Sequence, residues 1–278
     1  MLKHVLVAID FSPAWPQVQA QLARLPAFGC ERVTLAYVIG EGYTQAPELS
    51  HREHYEKRLA KIAEQVAAET GMGADSILRT GAVAGELLAA AEASGADTIL
   101  VGSQGHSAIR EFLLGSTVLN LARLADCPLL LAPVDGESTV PGDAICRALL
   151  ATDGSPAASG AEQAFLKLLS CGDRGVVVSV GRWDEVAVKA EERAAIEAHI
   201  AALAERAGSD AFDVELIGRG KPSEVISRVT AEQQANLVIV GRRGRNPLTE
   251  LLLGSTAEAV CRSSQQLVLL VPAAPRAD

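Results

Sequence analysis

The strongest constraint on the fold of this chain is that it contains one pattern twice. Three separated segments of the first half recur in the second: Val5–Pro13 as Ala148–Pro156, Ala96–Gly105 as Ala235–Gly244, and Leu113–Thr117 as Leu252–Thr256. The offset is 143 residues for the first pair and 139 for the other two. Such self-similarity favours two copies of one domain. We expect the copies at 1–138 and 144–278, joined by a short linker rich in turn-forming residues.

Within each copy, short apolar runs alternate with amphipathic stretches. The runs predict strands at 5–10, 31–38, 75–80, 98–102 and 128–132, and again at 147–152, 175–180, 212–217, 236–240 and 267–271. The intervening stretches have helical spacing, as at Tyr55, Leu59, Ile62 and Val66 before Gly71. Strands that are apolar on both faces and joined by helices predict an α/β fold: two tandem doubly wound five-stranded parallel sheets. Ligands bind beyond the carboxyl ends of such strands.

Composition narrows the classes of partner. The net charge of −9 argues against a nucleic-acid partner, since proteins that bind nucleic acid usually present a basic face. Five cysteines without a C-x-x-C pair favour small buried thiols in a reducing compartment. No leader is recognised, and no apolar run approaches the roughly 18–20 residues that cross a bilayer. We therefore expect a cytoplasmic protein without a membrane partner.

One loop pattern, G-x2-G-x9-G-S, follows the fourth predicted strand of each copy. Its members are Gly102, Gly105, Gly115 and Ser116 in the first copy and Gly241, Gly244, Gly254 and Ser255 in the second. Glycines let the backbone approach a ligand closely. Each serine is expected at the N-cap of the next helix, whose first-turn N–H groups favour a phosphate. The alternative is that the glycines only shape a tight loop.

Asp10 and Asp153 end the first predicted strand of each copy. Their carboxylates lie where they can accept hydrogen bonds from an adenine amino group or a ribose. The alternative is that each caps the following helix through Ser12-Pro13 or Ser155-Pro156, with proline at the first helical position. The two roles are compatible.

These motifs resemble the universal stress protein family in its tandem-domain form, and the loop pattern is that of its ATP-binding branch. The resemblance covers nearly the whole chain and implies an adenine-nucleotide α-hydrolase-like fold with strand order 3-2-1-4-5. It further implies adenosine contacts from Asp10, Asp153, Val38 and Val180, and ribose and phosphate contacts from the loop residues with Thr117 and Thr256. The implied ligand is ATP, with or without Mg²⁺. Family members pair domains through the fifth strand, which implies intramolecular pairing and a homodimer as a further possibility.

The two copies differ in two places. The second loop has Arg242, Arg243 and Arg245 where the first has Ser103, Gln104 and His106. The arginines predict either a phosphate clamp or a solvated loop. Before the fifth strand, Ser264-Gln265-Gln266 replaces Asp126-Cys127-Pro128, so the second copy departs from the family's typical ending at the turn that bears on domain pairing.

The chain has no G-x4-G-K-[ST] loop, and no metal site is expected. The leading hypothesis is an ATP-binding regulatory or stress-response protein with weak or no hydrolysis. The alternatives are an ATPase or nucleotidyl-transferring enzyme on the same fold, and an interaction module that binds no nucleotide.

Overall fold

A computed structural model describes most of the chain. The described residues are 1–40, 48–103, 114–134, 146–172, 174–184, 190–208, 210–244 and 253–273. The chain divides into two compact units, residues 1–144 and 145–278. The predicted linker, together with Gln104, Gly105, His106 and Arg245 of the loops, lies outside the described residues.

The first unit is a parallel sheet with helices between successive strands. Its strands are β1 (His4–Ile9), β2 (Arg32–Gly40), β3 (Gly73–Gly81), β4 (Thr98–Gly102) and β5 (Leu129–Ala132), and its helices are α1 (Trp15–Leu22), α2 (Glu48–Thr70), α3 (Val83–Ser94) and α4 (Ser116–Leu124). A short 3₁₀ helix spans Leu25–Phe28. The strands follow the order β3-β2-β1-β4-β5, and each described pairing between them is parallel. The predicted fold class and strand order are confirmed.

The second unit repeats this topology. Its strands are β6 (Ala148–Ala151), β7 (Gly175–Val180), β8 (Phe212–Ile217), β9 (Leu237–Gly241) and β10 (Leu267–Val271), and its helices are α5 (Ser159–Leu169), α6 (Ala190–Ala207), α7 (Pro222–Glu232) and α8 (Ser255–Ser263). The order is β8-β7-β6-β9-β10. Ala8 pairs with Ala36 in the first sheet, and Ala151 pairs with Val178 in the second. This common register gives Val38 and Val180 equivalent positions.

The cores are built almost entirely from aliphatic side chains. All five residues of β10 are buried, as expected for a strand that is covered on both faces. On α2, Leu59, Ile62 and Val66 are buried, whereas Tyr55 is half-buried. The helix ends where Gly71 adopts a φ of +71°, a left-handed conformation that glycine allows without a steric cost. Among the described residues, no helix combines the length and the apolar character needed to cross a membrane.

The turn before β10 forms despite its departure from the family pattern. The backbone N–H of Ser264 donates to Val260 O at 2.9 Å, just as the N–H of Ala125 donates to Leu121 O at 2.8 Å in the first unit. The Ser264 hydroxyl accepts from the Gln266 N–H and donates to the Gln266 carbonyl. A serine turn therefore forms in the second unit at the place where the first unit has Pro128.

All five cysteines are free. Cys30, Cys146 and Cys261 are buried as expected. Cys171, which follows α5, is exposed, so the expectation of burial is wrong for this residue. Helix α5 ends just before it, and the chain there lies at the surface.

Candidate functional site

Each unit has a cavity at the carboxyl edge of its sheet. The first, of about 740 Å³, is lined by Asp10, Val38, Gly102, Gly115, Ser116 and Thr117 among others. The second, of about 490 Å³, is lined by Asp153, Val180, Gly241, Arg243, Gly244, Gly254, Ser255 and Thr256 among others. Both volumes are in the range of small-molecule sites. Every predicted site residue within the described ranges lines its cavity, except Arg242.

The same backbone hydrogen bonds close the loop in both units. The Gly115 N–H donates to Ser103 O at 3.2 Å, and the Gly254 N–H donates to Arg242 O at 3.0 Å. The far side of each loop is tied to the fifth strand, since the Ser103 N–H donates to Ala132 O and the Arg242 N–H to Val271 O. These bonds hold the first turn of α4 or α8 against the end of β4 or β9.

The serines of the motif are not N-caps. Helices α4 and α8 begin at Ser116 and Ser255, and the N-caps are Gly115 and Gly254. The glycine carbonyls accept the first helical bonds, from the N–H groups of Leu119 and Glu258. The N-cap prediction was wrong because an extended glycine at ψ +148° or +140° fills that position without a side chain. The serines occupy the first helical position, and their N–H groups have no acceptor inside the helix.

The aspartates cap a turn and not a helix. Asp10 Oδ1 accepts from the Ser12 N–H at 2.9 Å, and Asp153 Oδ1 accepts from the Ser155 N–H at 3.0 Å. Helix α1 starts two residues beyond Pro13, with Ala14 as its N-cap. In the second unit a 3₁₀ helix spans Pro156–Ala158 with Ser155 as its N-cap, so the proline does begin a helix there. The alternative is wrong for the aspartates, because neither of them is an N-cap. An Asx turn satisfies the nearer N–H group first and holds each carboxylate at the edge of its cavity.

The two arginines of the second loop have different environments. Arg243 lines the cavity, and its Nε is buried without a hydrogen-bond partner among the residues that the structure describes. Arg242 does not line the cavity, and its main chain instead closes the loop. Of these two loop arginines, only Arg243 therefore contributes to the cavity wall.

An aromatic cluster forms part of the first cavity. The ring centroids of Phe11 and Tyr37 lie 4.8 Å apart, those of Tyr37 and Tyr55 also 4.8 Å, and those of Phe11 and Tyr55 5.8 Å. The Arg58 guanidinium carbon lies 4.0 Å from the centroid of the Phe11 ring. All four residues line the cavity.

A polar network supports the corresponding turn of the second unit. Glu162 is buried, and its Oε1 accepts from the Thr152 hydroxyl at 2.6 Å and lies 2.8 Å from His199 Nε2. The Thr152 Oγ1 in turn accepts from the Gly154 N–H at 3.1 Å. The network thus fixes the turn that carries Asp153.

Comparison with known proteins decides the family. The sequence model of the Universal stress protein family matches residues 1–133 and 131–272, which together make up nearly the whole chain. The chain belongs to the universal stress protein family. It carries two copies of the family's domain in tandem.

Two relatives and one solved structure show the extent of the likeness. A universal stress protein of Mycolicibacterium smegmatis is 27% identical over 290 residues, covering 96% of each chain. Universal stress protein YxiE of Bacillus subtilis is 36% identical over 146 residues, covering 47% of this chain and 99% of its own. A universal stress protein from Archaeoglobus fulgidus matches 99% of this chain and 100% of its own with a TM-score of 0.76 at 23% identity. At 23% identity, this structural match supports the fold alone.

Sequence reasoning missed both the aromatic cluster and the Glu162 network. One signal was present in the repeat itself, because Asp10 is followed by Phe11 where Asp153 is followed by Gly154. Tyr55 fits the apolar face of α2, and its spacing does not show that its ring reaches a cavity. His199 and Glu162 are separated by 37 residues, so only the fold brings them together.

Proposed function

We propose that this universal stress protein binds ATP at the carboxyl edge of each sheet and acts as a cytoplasmic regulatory protein in a stress response, with weak or no hydrolysis. The observation that carries the proposal is the loop closure common to both units. It presents the start of a helix, with its first-turn N–H groups and the positive end of its dipole, to a cavity of small-molecule size.

The remaining proposed contacts follow from position. Asp10 and Asp153 are suited to accept hydrogen bonds from the adenosine end, and Val38 and Val180 provide backbone groups beside them. Gly102, Gly115, Ser116 and Thr117, and Gly241, Gly244, Gly254, Ser255 and Thr256, are proposed to bind ribose and phosphate. Arg243 is proposed as the phosphate-binding arginine, because a buried guanidinium Nε without a partner fits an anionic ligand.

A specific observation favours the competing interpretation that the glycines are only structural. A Cβ on Gly241 would lie 3.1 Å from Arg243 O, and one on Gly254 would lie 3.4 Å from Arg242 O. The contact at Gly241 is tight, so the absence of a side chain there lets the loop pack against its own backbone, whereas the distance at Gly254 is that of an ordinary van der Waals contact. That need exists with or without a nucleotide, so a binding experiment must separate the two interpretations.

The first experiment is mass spectrometry of small molecules released from the purified, denatured protein, combined with a thermal shift in ATP. The proposal expects a released adenine nucleotide or an ATP-dependent rise in melting temperature. Neither release nor stabilisation would favour the interaction module. Turnover well above background in excess Mg-ATP would favour the enzyme.

A sharper test removes the helix donors without disturbing the helix. Proline is favoured at the first helical position, and the extended Gly115 and Gly254 suit the residue before a proline. Ser116→Pro and Ser255→Pro therefore delete one N–H and one hydroxyl per site. Each loss is expected to weaken ATP binding at its own site by about tenfold to a hundredfold.

The controls are Ser116→Ala and Ser255→Ala, which remove only the hydroxyls. The chain supplies a reporter for each site, since its two tryptophans are Trp15, in the wall of the first cavity, and Trp183, in the wall of the second. Fluorescence titration of Trp183→Phe follows the first site, and titration of Trp15→Phe follows the second. Unchanged affinity in both proline variants would contradict a phosphate at the helix start.

A further inference from the structure

The two cavities differ most on the wall opposite the phosphate loop. In the first unit this wall carries Phe11, Tyr37 and Tyr55, with Arg58 over the Phe11 ring. In the second unit, Gly154 and Ser179 occupy the positions that correspond to Phe11 and Tyr37 by repeat and by strand register. Helix α6 contributes Glu192 and Ile196 to this second cavity. The first cavity therefore has a cluster of aromatic rings in its wall, whereas the described wall of the second has one aromatic ring, that of Trp183.

Phe11 adopts a backbone conformation that is unfavourable for residues other than glycine. Its φ of +53° lies in the left-handed region, where Gly154 of the second unit has a φ of +68°. A residue other than glycine in this region costs on the order of 1 kcal/mol. Backbone strain of this kind is concentrated at functional sites. Here the strain sets the phenyl ring between two tyrosines and an arginine at the cavity wall.

Aromatic residues are scarce in the chain, and several of them are gathered at the first cavity. The sequence has ten aromatic residues, and four of them, Phe11, Trp15, Tyr37 and Tyr55, line this one cavity. Tyrosine and phenylalanine rings, with the planar arginine guanidinium, are the groups that stack on purine bases. The first cavity is thus equipped to bind a ligand through its base.

The phosphate loop of the second unit carries more positive charge than that of the first. Residues 102–116 contain one arginine and one glutamate, whereas residues 241–255 contain three arginines and one glutamate. Of these arginines, Arg243 is in the wall of the second cavity with its buried Nε lacking a partner among the described residues. The described part of the first loop places the neutral Ser103 where the second places Arg242. The second cavity is thus equipped to bind a ligand through its phosphates.

We infer that the two sites select different adenylates: the first recognises the nucleobase and accepts AMP, ADP and ATP alike, whereas the second counts phosphates and prefers ATP. The inference rests on the proposed function, because it assumes that both cavities take adenine nucleotides. It assigns Phe11, Tyr37, Tyr55 and Arg58 to base recognition and Arg243 to recognition of the terminal phosphates. One chain would then report total adenylate at one site and ATP at the other.

The test titrates AMP, ADP and ATP against the two single-tryptophan proteins, Trp183→Phe for the first site and Trp15→Phe for the second. At the first site the three affinities are expected to agree within about threefold. At the second, ATP is expected to bind about tenfold to a hundredfold more tightly than AMP, since charge-assisted contacts to phosphate are among the stronger hydrogen bonds.

Two variants assign the effect to residues. In the second site, Arg243→Gln is expected to abolish the preference for ATP while AMP still binds. Arg228→Gln, which removes an exposed cation paired with Glu232 on α7, is expected to leave the preference unchanged. In the first site, Tyr55→Leu is expected to weaken all three adenylates by a similar factor, about fivefold or more. Phe11→Gly tests the same wall without adding strain.

The outcomes separate this inference from the function beneath it. If no adenylate changes the fluorescence of either tryptophan and none stabilises the protein, the proposed function fails. If both sites bind adenylates with the same dependence on phosphate number, the proposed function stands and the inference is overturned. The inference is also overturned if the preference for ATP at the second site persists in Arg243→Gln. It is overturned likewise if Tyr55→Leu and Phe11→Gly both change the affinities for AMP and ATP by different factors.

Discussion

His4, at the start of β1, is a histidine whose protonation opposes folding. Its Nε2 lies 2.8 Å from the Thr34 hydroxyl oxygen. Burial, and after it the positive charge of Arg32, lowers the pKa of His4 below its usual 6.5. The unfolded chain therefore binds a proton more readily than the folded one, and the free energy of unfolding falls as the pH drops through about 6.5.

The expected result is a smaller urea midpoint at about pH 5.5 than at about pH 7.5, with part of the difference removed in His4→Gln. Glutamine keeps a polar atom for Thr34 and does not titrate. An unchanged pH dependence in His4→Gln would contradict a lowered histidine pKa.

The cysteines are expected to differ sharply in reactivity. Burial raises the pKa of the Cys30 thiol to about 11 and that of Cys261 to about 12, so both are protonated at neutral pH. Burial also raises the pKa of Cys127. Cys171 is exposed, and a maleimide is expected to label it first in the native protein. Peptide mapping after brief labelling, with Cys171→Ser as the comparison, checks this, and rapid labelling that persists in Cys171→Ser would refute it.

Helix α3 offers two glycines whose replacement by alanine should have opposite effects. Gly85 lies inside the helix, and a Cβ there would meet nothing within 4 Å. Gly85→Ala is therefore expected to stabilise the protein by about 0.5–1 kcal/mol. Gly95 caps the same helix at a φ of +71°, so Gly95→Ala is expected to destabilise it by roughly 1 kcal/mol. Urea unfolding of both variants measures the two changes, and changes of the same sign would contradict these backbone assignments.

The strands were the most predictable elements. The bounds of β7, β8 and β10 match the prediction residue for residue, because each is an apolar or alternating run between turn-forming residues. Strand β3 is longer than predicted at both ends, since it starts and ends at glycines and exposes Ser76 and Asp75 in part. Hydrophobic pattern alone does not reveal a polar edge strand, whose backbone pairing with β2 defines its length.

The candidate site was predictable where its residues are close in sequence. The spacing of Gly115 and Ser116 from β4 located the start of α4, although it did not distinguish the N-cap from the first helical residue. The aromatic wall was not predictable, because Phe11, Tyr37 and Tyr55 come from three elements that only tertiary packing brings together. The separation of Arg243 from Arg242 likewise depends on the local path of the backbone and not on residue type.

At the scale of the whole molecule, the duplication has kept the sheet and the loop closure while changing the walls around them. Because a ligand that binds only the folded state stabilises it, ATP at about 100 times its dissociation constant is expected to add about 2.7 kcal/mol for each occupied site. The double variant Ser116→Pro, Ser255→Pro is expected to lose about half of that gain or more, as measured by urea unfolding with and without ATP. A gain that persists unchanged in the double variant would show that the ligand binds elsewhere.

The family resemblance also implies a homodimer. This is a separate proposal, and light scattering of the purified chain tests it.

The central claim is that each of the two sheet edges binds one adenine nucleotide. The most direct measurement is equilibrium dialysis of the nucleotide-free protein against labelled ATP, with the bound nucleotide counted per chain. We expect two bound nucleotides per chain for the wild type. At sub-saturating ATP, each single variant, Ser116→Pro or Ser255→Pro, is expected to bind one nucleotide fewer. No bound nucleotide, or a count that neither proline variant alters, would contradict it.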